Sequence, residues 1–109
     1  MNKSFYKNIV KENELNKLIK DQKYSGSREF ILFTSVWDEV SSTLLKKLKS
    51  RSLRRSISII NSFDTPHSFV IWGIKTVPSL VVLEGRGADK RVIITSHTTD
   101  IYKRLGLEK

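Results

Sequence analysis

The feature that most constrains the fold is an alternation between apolar, β-branched runs and segments of helical period. Glu29–Thr34 is an almost continuous apolar run bounded by Gly26 and Ser35, which is typical of a central strand covered on both faces. From Asp38 onward the apolar residues recur at helical spacing, which predicts an amphipathic helix. Ser56–Ile60 is again strongly β-branched and predicts a second central strand. A strand, a helix and a strand in this order predict a parallel pair joined by a crossover helix.

The same alternation extends toward both ends of the chain. Phe5–Val10 predicts a first strand, and Asn13 is the expected N-cap of a helix that ends at Tyr24–Gly26. The elements predicted downstream are a short helix from Asp64–Pro66 to Gly73, a strand over Ser79–Leu83, a turn over Glu84–Asp89, a strand over Arg91–Thr95 and a final helix capped by Thr98 or Thr99. The order β-α-β-α-β-α-β-β-α predicts one α/β domain over residues 1–109, with a central mixed sheet flanked by helices.

The chain of 109 residues contains no cysteine, which excludes disulfides, thiolate metal sites and thiol nucleophiles. Its two histidines, His67 and His97, are far apart and are interpreted as surface or cap residues, so no metal site or cofactor is expected. Hydrophobic residues make up 39% and charged residues 28%, which is typical of a globular protein. No apolar run is long enough for a transmembrane helix or a signal peptide, so we expect a cytoplasmic protein.

A short motif lies between the strand Glu29–Thr34 and the helix that follows it. It reads Trp37-Asp38-Glu39-Val40-Ser41 and resembles the Trp-Cys-x-x-Cys motif of the thioredoxin family, with Asp38 and Ser41 in the two cysteine positions. Downstream, Trp72–Leu80 resembles the family's segment aromatic-Gly-Ile-x-x-Val/Ile-Pro-Thr-Leu. The resemblance covers nearly the whole chain and implies a thioredoxin-like fold with a cis peptide bond before Pro78.

The same resemblance implies that the redox chemistry is absent. Disulfide exchange needs a thiolate that attacks sulfur, and the carboxylate of Asp38 cannot replace it, although it would be a good helix N-cap. The buried Asp and Lys of active thioredoxins correspond here to Leu32 and Ile59, which are apolar. A cysteine replaced by mutagenesis at Ser41 or Ser42 is a second explanation, but it would leave Leu32 and Ile59 unexplained. We therefore expect no enzymatic activity of the thiol–disulfide oxidoreductase class.

A peptide-binding groove is the function that the resemblance leaves open, since backbone pairing with a peptide needs no sulfur. In the family this groove lies between the Trp-Cys-x-x-Cys turn and the cis-proline loop. The corresponding residues, here called the groove surface, are Trp37, Asp38, Glu39, Val40, Ser41, Thr76, Val77 and Pro78. The first hypothesis is a redox-inactive binding or adaptor module that engages a protein partner. The alternative for Trp37 is that it only shields the helix.

A second candidate surface is a basic run with six cations in ten residues: Lys46, Lys47, Lys49, Arg51, Arg54 and Arg55. The formal net charge of the chain is +9, and no acidic residue lies between Glu39 and Asp64. Two or three of these cations suit the helix macrodipole, and the others can meet phosphate or an acidic protein. The second hypothesis is a basic accessory protein that contacts nucleic acid or a nucleic-acid-processing complex. The sequence leaves the partner and the oligomeric state open.

Overall fold

The computed structural model describes residues 6–9, 11–50 and 57–107, which form one mixed sheet with helices on both faces. The strands are β1 (Tyr6–Ile9), β2 (Glu29–Thr34), β3 (Ile57–Asn61), β4 (Ser79–Glu84) and β5 (Arg91–Thr95). The helices are α1 (Glu12–Ser25), α2 (Glu39–Lys49), α3 (Pro66–Ile71) and α4 (Thr98–Arg104), and a 3₁₀ turn covers Gly87–Asp89. The predicted α/β class and element order are confirmed.

The strand order across the sheet is β1-β3-β2-β4-β5. β1 and β2 run parallel to β3, whereas β4 is antiparallel to β2 and β5 is antiparallel to β4. The end of β2 therefore lies beside the start of β4, where Phe33 is opposite Ser79. We call this end of the sheet the groove end and the opposite end, where β2 begins, the far end.

The core lies on both faces of the sheet because alternate residues of each strand point to opposite sides. One face carries Phe30, Leu32, Ile57, Ile59, Leu80 and Val82 against Leu44, Leu48, Ile101, Leu105 and Leu107. The other face carries Ile9, Ile31, Phe33, Ile60, Val81 and Leu83 against Leu15, with Leu18, Ile19, Phe69, Trp72 and Ile74 packed beside them. The near-continuous apolar run in β2 is explained by this burial on both faces.

Two predicted helix caps were wrong by one or two residues. α1 begins at Glu12 with Lys11 as N-cap, not Asn13, and the carboxylate of Glu14 accepts a hydrogen bond from the Lys11 amide at 3.3 Å. An acid three residues into the helix thus satisfies the N-cap amide. For α4 the N-cap is His97, not Thr98 or Thr99.

Some predicted features fall outside the described residues. They include Phe5, Val10 and Ser56 at predicted strand ends, and Arg51, Arg54 and Arg55 of the basic run. None of the described helices is both long and apolar enough to cross a membrane.

Candidate binding groove

Asp38 is the N-cap of α2, as predicted. Its Oδ2 atom accepts a hydrogen bond from the Ser41 amide at 2.8 Å, and its backbone carbonyl accepts one from the Ser42 amide at 3.0 Å. A carboxylate is favourable there because the first amides of a helix lack backbone partners and the N-terminus is the positive end of the helix dipole. The position that corresponds to a nucleophilic cysteine in the resemblance is thus occupied by a structural cap.

Replacing Asp38 with alanine should lower the free energy of unfolding by about 1 kcal/mol, the usual cost of removing an N-cap side chain. Asp38→Asn should keep most of the stability, because an amide oxygen can accept the same hydrogen bond. Urea denaturation followed by circular dichroism measures both variants. Equal losses in the alanine and asparagine variants would contradict a hydrogen-bonded cap.

Ser41 lies beneath the groove surface rather than on it. Its side chain is fully buried, and its Oγ atom accepts a long hydrogen bond of 3.5 Å from the Ser35 amide. Three residues after the cap, it faces the same side of the helix as Leu44 and Leu48, which are buried in the core. The predicted role of the Ser41 side chain in binding is therefore corrected, and the groove surface consists of the other seven residues.

The loop before β4 lies beside the beginning of α2. Ser79 pairs with Phe33 near the end of β2, and its Oγ donates to the Thr76 carbonyl at 2.7 Å. The peptide bond between Val77 and Pro78 is cis. Thr76 is exposed, Val77 is half-buried and Pro78 is buried. The fold therefore brings this loop and the Trp37 turn to the same end of neighbouring strands.

Trp37 is exposed and packs against a second aromatic residue. Its ring stands edge-to-face on Phe63, with centroids 5.8 Å apart and an interplanar angle of 83°. Trp37 is 76% exposed and Phe63 is 69% exposed. The Phe63 amide donates to Asn61 Oδ1 at 2.9 Å, so a side-chain turn after β3 positions this ring. The two rings form an aromatic pair that faces solvent.

Sequence reasoning missed Phe63. The signal that could have found it is an aromatic residue in a polar turn directly after a buried strand, since loop aromatics without a core position are typical of binding surfaces. The Ser62 amide donates to the Thr34 carbonyl at 3.0 Å and ties this turn to the end of β2. Val36 and Val40, which are 55% and 44% exposed, flank Trp37 along the chain. We call Val36, Trp37, Val40 and Phe63 the apolar patch.

Solved structures of thioredoxins align with almost the entire chain. A thioredoxin of Nicotiana alata gives a TM-score of 0.75 over 95% of this chain and 92% of that chain, at 11% identity. A thioredoxin of Trichomonas vaginalis gives 0.74 over 96% of both chains at 11% identity. One from Plasmodium falciparum gives 0.73 over 96% and 92%, at 14% identity. This chain has the thioredoxin fold.

The likeness is one of fold, because the identities are only 11–14%. No protein-family model and no curated protein sequence matches the chain. The structural likeness confirms the fold predicted from the two motifs around Trp37 and Pro78. A thioredoxin fold without cysteine has no thiol with which to exchange disulfides. Any function of this chain must therefore use other groups of the scaffold.

The core beneath the α2 cap is apolar where the resemblance places a charged pair. Leu32 and Ile59 are direct partners in the β2–β3 register, and they are 0% and 5% exposed. Both belong to the cluster that packs against α2. A lone charge at either position would be buried without a partner, which is costly. In this thioredoxin fold the pair is a plain hydrophobic contact.

The described part of the basic run lies far from the groove surface. Lys46, Lys47 and Lys49 are exposed in the last turn of α2, and the Lys47 ammonium lies 5.5 Å from the centroid of the Tyr102 ring. Because α2 has 11 residues, its ends are about 16 Å apart at 1.5 Å per residue. Among the residues described, no group of three or more His, Cys, Asp or Glu side chains could hold a metal ion.

Proposed function

We propose that this chain is a non-catalytic binding module that holds an extended segment of a protein partner across the groove surface. The observation that carries the proposal is the solvent-facing pair Trp37 and Phe63. Exposed apolar patches on small proteins mark interaction sites more often than chance, and tryptophan is enriched among the residues that dominate binding energy. Hydrogen bonds from the Trp37 amide to Ser35 Oγ and from the Phe63 amide to Asn61 Oδ1 hold the backbone of both residues, so little backbone ordering would be needed on binding.

The backbone of the Pro78 loop offers hydrogen-bonding groups to an extended ligand. Among the hydrogen bonds between described residues, none uses the amide or the carbonyl of Val77. An extended peptide could pair with these groups as an added strand, while the apolar patch accepts one of its side chains. This mode of binding requires no thiol.

The acidic residues beside the apolar patch outnumber the one cation of the Pro78 loop, Lys75, and so favour a ligand with basic residues. Asp38 and Glu39 begin α2, and Asp64 follows Phe63 directly. Opposite charges across an interface speed association and select partners. The proposed ligand is therefore an extended apolar segment flanked by lysine or arginine, and no catalytic step, cofactor or metal is assigned to the chain. A cytoplasmic location remains a prediction.

The test is affinity selection of peptides from a random library on the immobilised protein, followed by titration of the enriched peptides. The double variant Trp37→Ala, Val77→Asp should bind them at least about thirtyfold more weakly, as expected for the loss of an aromatic hot spot worth about 2 kcal/mol. Phe63→Ala should cause a smaller loss, because it removes the support of Trp37 rather than the anchor.

A matched control makes the same chemical changes elsewhere. Tyr24→Ala, Val92→Asp also removes an exposed aromatic ring and adds a carboxylate to an exposed valine, at 87% and 47% exposure. This control should bind as wild type does. Selected peptides that bind both double variants and wild type equally would overturn the proposal.

Contact with nucleic acid is the second candidate function. The observation that favours it is the exposure of Lys46, Lys47 and Lys49 together at one end of α2. Binding of single-stranded oligonucleotide that weakens steeply with salt and in Lys46→Gln, Lys49→Gln would support it.

A further inference from the structure

The fold separates charges that are mixed along the sequence. α1, α2 and α4 all begin at the groove end of the sheet and run toward the far end. Their first turns carry the acidic residues Glu12, Glu14, Glu39 and Asp100, and their last turns carry Lys23, Lys46, Lys47, Lys49, Lys103 and Arg104. Each helix follows the macrodipole preference. Because the helices are aligned, these preferences add up to a basic far end.

A cleft of about 680 Å³ lies at this far end, on the face of the sheet opposite to α2. It lies between the last turns of α1 and the turn after β4, and its lining residues are Lys20, Lys23, Tyr24, Ser25, Arg86 and Gly87. The volume falls within the range of small-molecule sites, and the cleft is open to solvent over much of its surface. Sequence reasoning did not find this cleft, because its two walls are some sixty residues apart in the chain.

The two walls of the cleft are held together by a buried side chain. Gln22, which is 1% exposed, donates through Nε2 to the Ser27 carbonyl at 2.9 Å and to the Gly85 carbonyl at 3.0 Å. Gly26 ends α1 with φ of 77°, and a Cβ there would lie 3.0 Å from Arg86 Cβ. The end of α1 and the Arg86 turn therefore form a built site rather than a chance gap.

Three of the six lining residues are cationic and none is a carboxylate, while most of the lining surface is apolar. Within the described part of the chain, Lys20, Lys23 and Arg86 form no ion pair. The nearby Asp21 pairs with Lys17 at 3.3 Å, Glu84 pairs with Arg28 and Arg91, and Asp89 follows Arg86 by one 3₁₀ turn. Three cations around one cleft attract an anion with more than one charge.

We propose that this cleft binds a nucleoside phosphate, with the base stacked on Tyr24 and the phosphate held by Lys20, Lys23 and Arg86. Tyr24 is 87% exposed, more than any other large hydrophobic residue described. A bare phosphate or a carboxylate would not use this ring, whereas every base has a face that stacks on an aromatic side chain. The site shares no residue with the groove surface or the basic run, so it stands or falls independently of the peptide-binding function.

The experiment measures binding of a short fluorescent oligothymidylate by anisotropy at about 50 to 200 mM salt. Lys23→Gln, Arg86→Gln should weaken binding about tenfold or more and flatten the slope of log affinity against log salt by about 1.4, which is about 0.7 for each lost phosphate contact. Tyr24→Ala should weaken it about five- to 150-fold, whereas Tyr24→Phe should bind as wild type does.

One variant with the same change in net charge serves as the control, and all substituted residues are exposed. Lys11→Gln, Lys75→Gln lies at the groove end and should change affinity by less than about twofold, since exposed charges beyond a Debye length of about 10 Å are largely screened. Thymidine monophosphate and inorganic phosphate are titrated in parallel. Competition by the mononucleotide assigns the cleft to a free nucleotide, and binding of the oligomer alone assigns it to a strand.

Three results would overturn the proposal. The first is an absence of binding at low salt. The second is a loss of affinity in a different double variant that equals the loss in the cleft variant. An equal loss in the double variant Lys11→Gln, Lys75→Gln would indicate attraction by diffuse charge. An equal loss in the double variant Lys46→Gln, Lys49→Gln would indicate binding at the basic run. The third is competition by inorganic phosphate as strong as by the mononucleotide, together with no effect of Tyr24→Ala.

Discussion

Leu32→Asp should lower the free energy of unfolding by about 4 kcal/mol or more, which is a large part of the stability of a typical domain. The side chain is fully buried opposite Ile59, so the new carboxylate would have no cation beside it. Leu32→Ala should cost about 2–5 kcal/mol through lost burial and the cavity alone. Thermal and urea unfolding of the two variants separate the cost of charge from the cost of volume.

The pH dependence of the stability of Leu32→Asp shows how much of its loss comes from the charge on the new carboxylate. Burial would raise the pKa of the carboxyl at position 32 above the value of about 3.9 that it has in an unfolded chain. Between these two pKa values the folded state binds more protons, so its stability falls as the pH rises. The stability gap between Leu32→Asp and Leu32→Ala should therefore be small below about pH 4 and largest above the raised pKa. If the stability difference between the two variants did not change with pH, the carboxyl at position 32 would be hydrated rather than buried.

A buried pair should recover part of the loss. Because Leu32 and Ile59 are register partners, Leu32→Asp, Ile59→Lys should be more stable than the sum of its single variants predicts. Additive losses would contradict the direct contact. The core of this chain is thus expected to tolerate charge only as a pair, which explains why both positions are apolar when neither is used in redox chemistry.

Gly85→Ala should lower the free energy of unfolding by about 2–4 kcal/mol, because the cost of backbone strain and the cost of steric overlap combine. The residue has φ of 89°, which an L side chain adopts only with strain. A Cβ would also overlap the carbonyl oxygen of Asp89 and crowd Lys90, both of which are backbone contacts that cannot rotate away. The turn that carries Arg86 would have to shift, and we expect the Gln22 contact to the Gly85 carbonyl to weaken with it.

Gly87→Ala is the matched control. Gly87 also has positive φ, at 56°, but a Cβ there meets no atom within 4 Å. Gly87→Ala should lower the free energy of unfolding by only about 1–2 kcal/mol, which is the strain of a left-handed residue with a side chain. Unfolding midpoints in urea compare the two variants. Equal losses of stability would show that backbone strain, and not the overlap of a Cβ at position 85 with Asp89, sets the cost of both substitutions.

Much of the fold could be predicted from local patterns. β2 and β5 were predicted with their observed bounds, and Asp38 was predicted as the N-cap of α2. These features depend on residues within a few positions of one another. The N-caps of α1 and α4 were harder to predict, because Lys11 and His97 are not strong capping residues. Which residue caps each helix depended on competing neighbours.

The candidate site was predicted only in part. The loop at Pro78 and the turn at Trp37 followed from the resemblance of two segments, but the contact between Trp37 and Phe63 joins residues on different loops. The burial of Ser41 depends on which side of α2 faces the sheet. Helical period indicates that side only approximately in the first turn, where the chain enters the helix.

The amino-acid sequence by itself determined the elements, the α/β class and the absence of thiol chemistry, since periodicity, capping and residue type are local properties. Only the tertiary structure decided that Leu32 faces Ile59, that Trp37 meets Phe63 and that the basic end of α1 meets the Arg86 turn at a cleft beside Tyr24. The physical reason is that these neighbours depend on strand order, register and helix direction, which arise when the whole sheet forms and brings distant segments together.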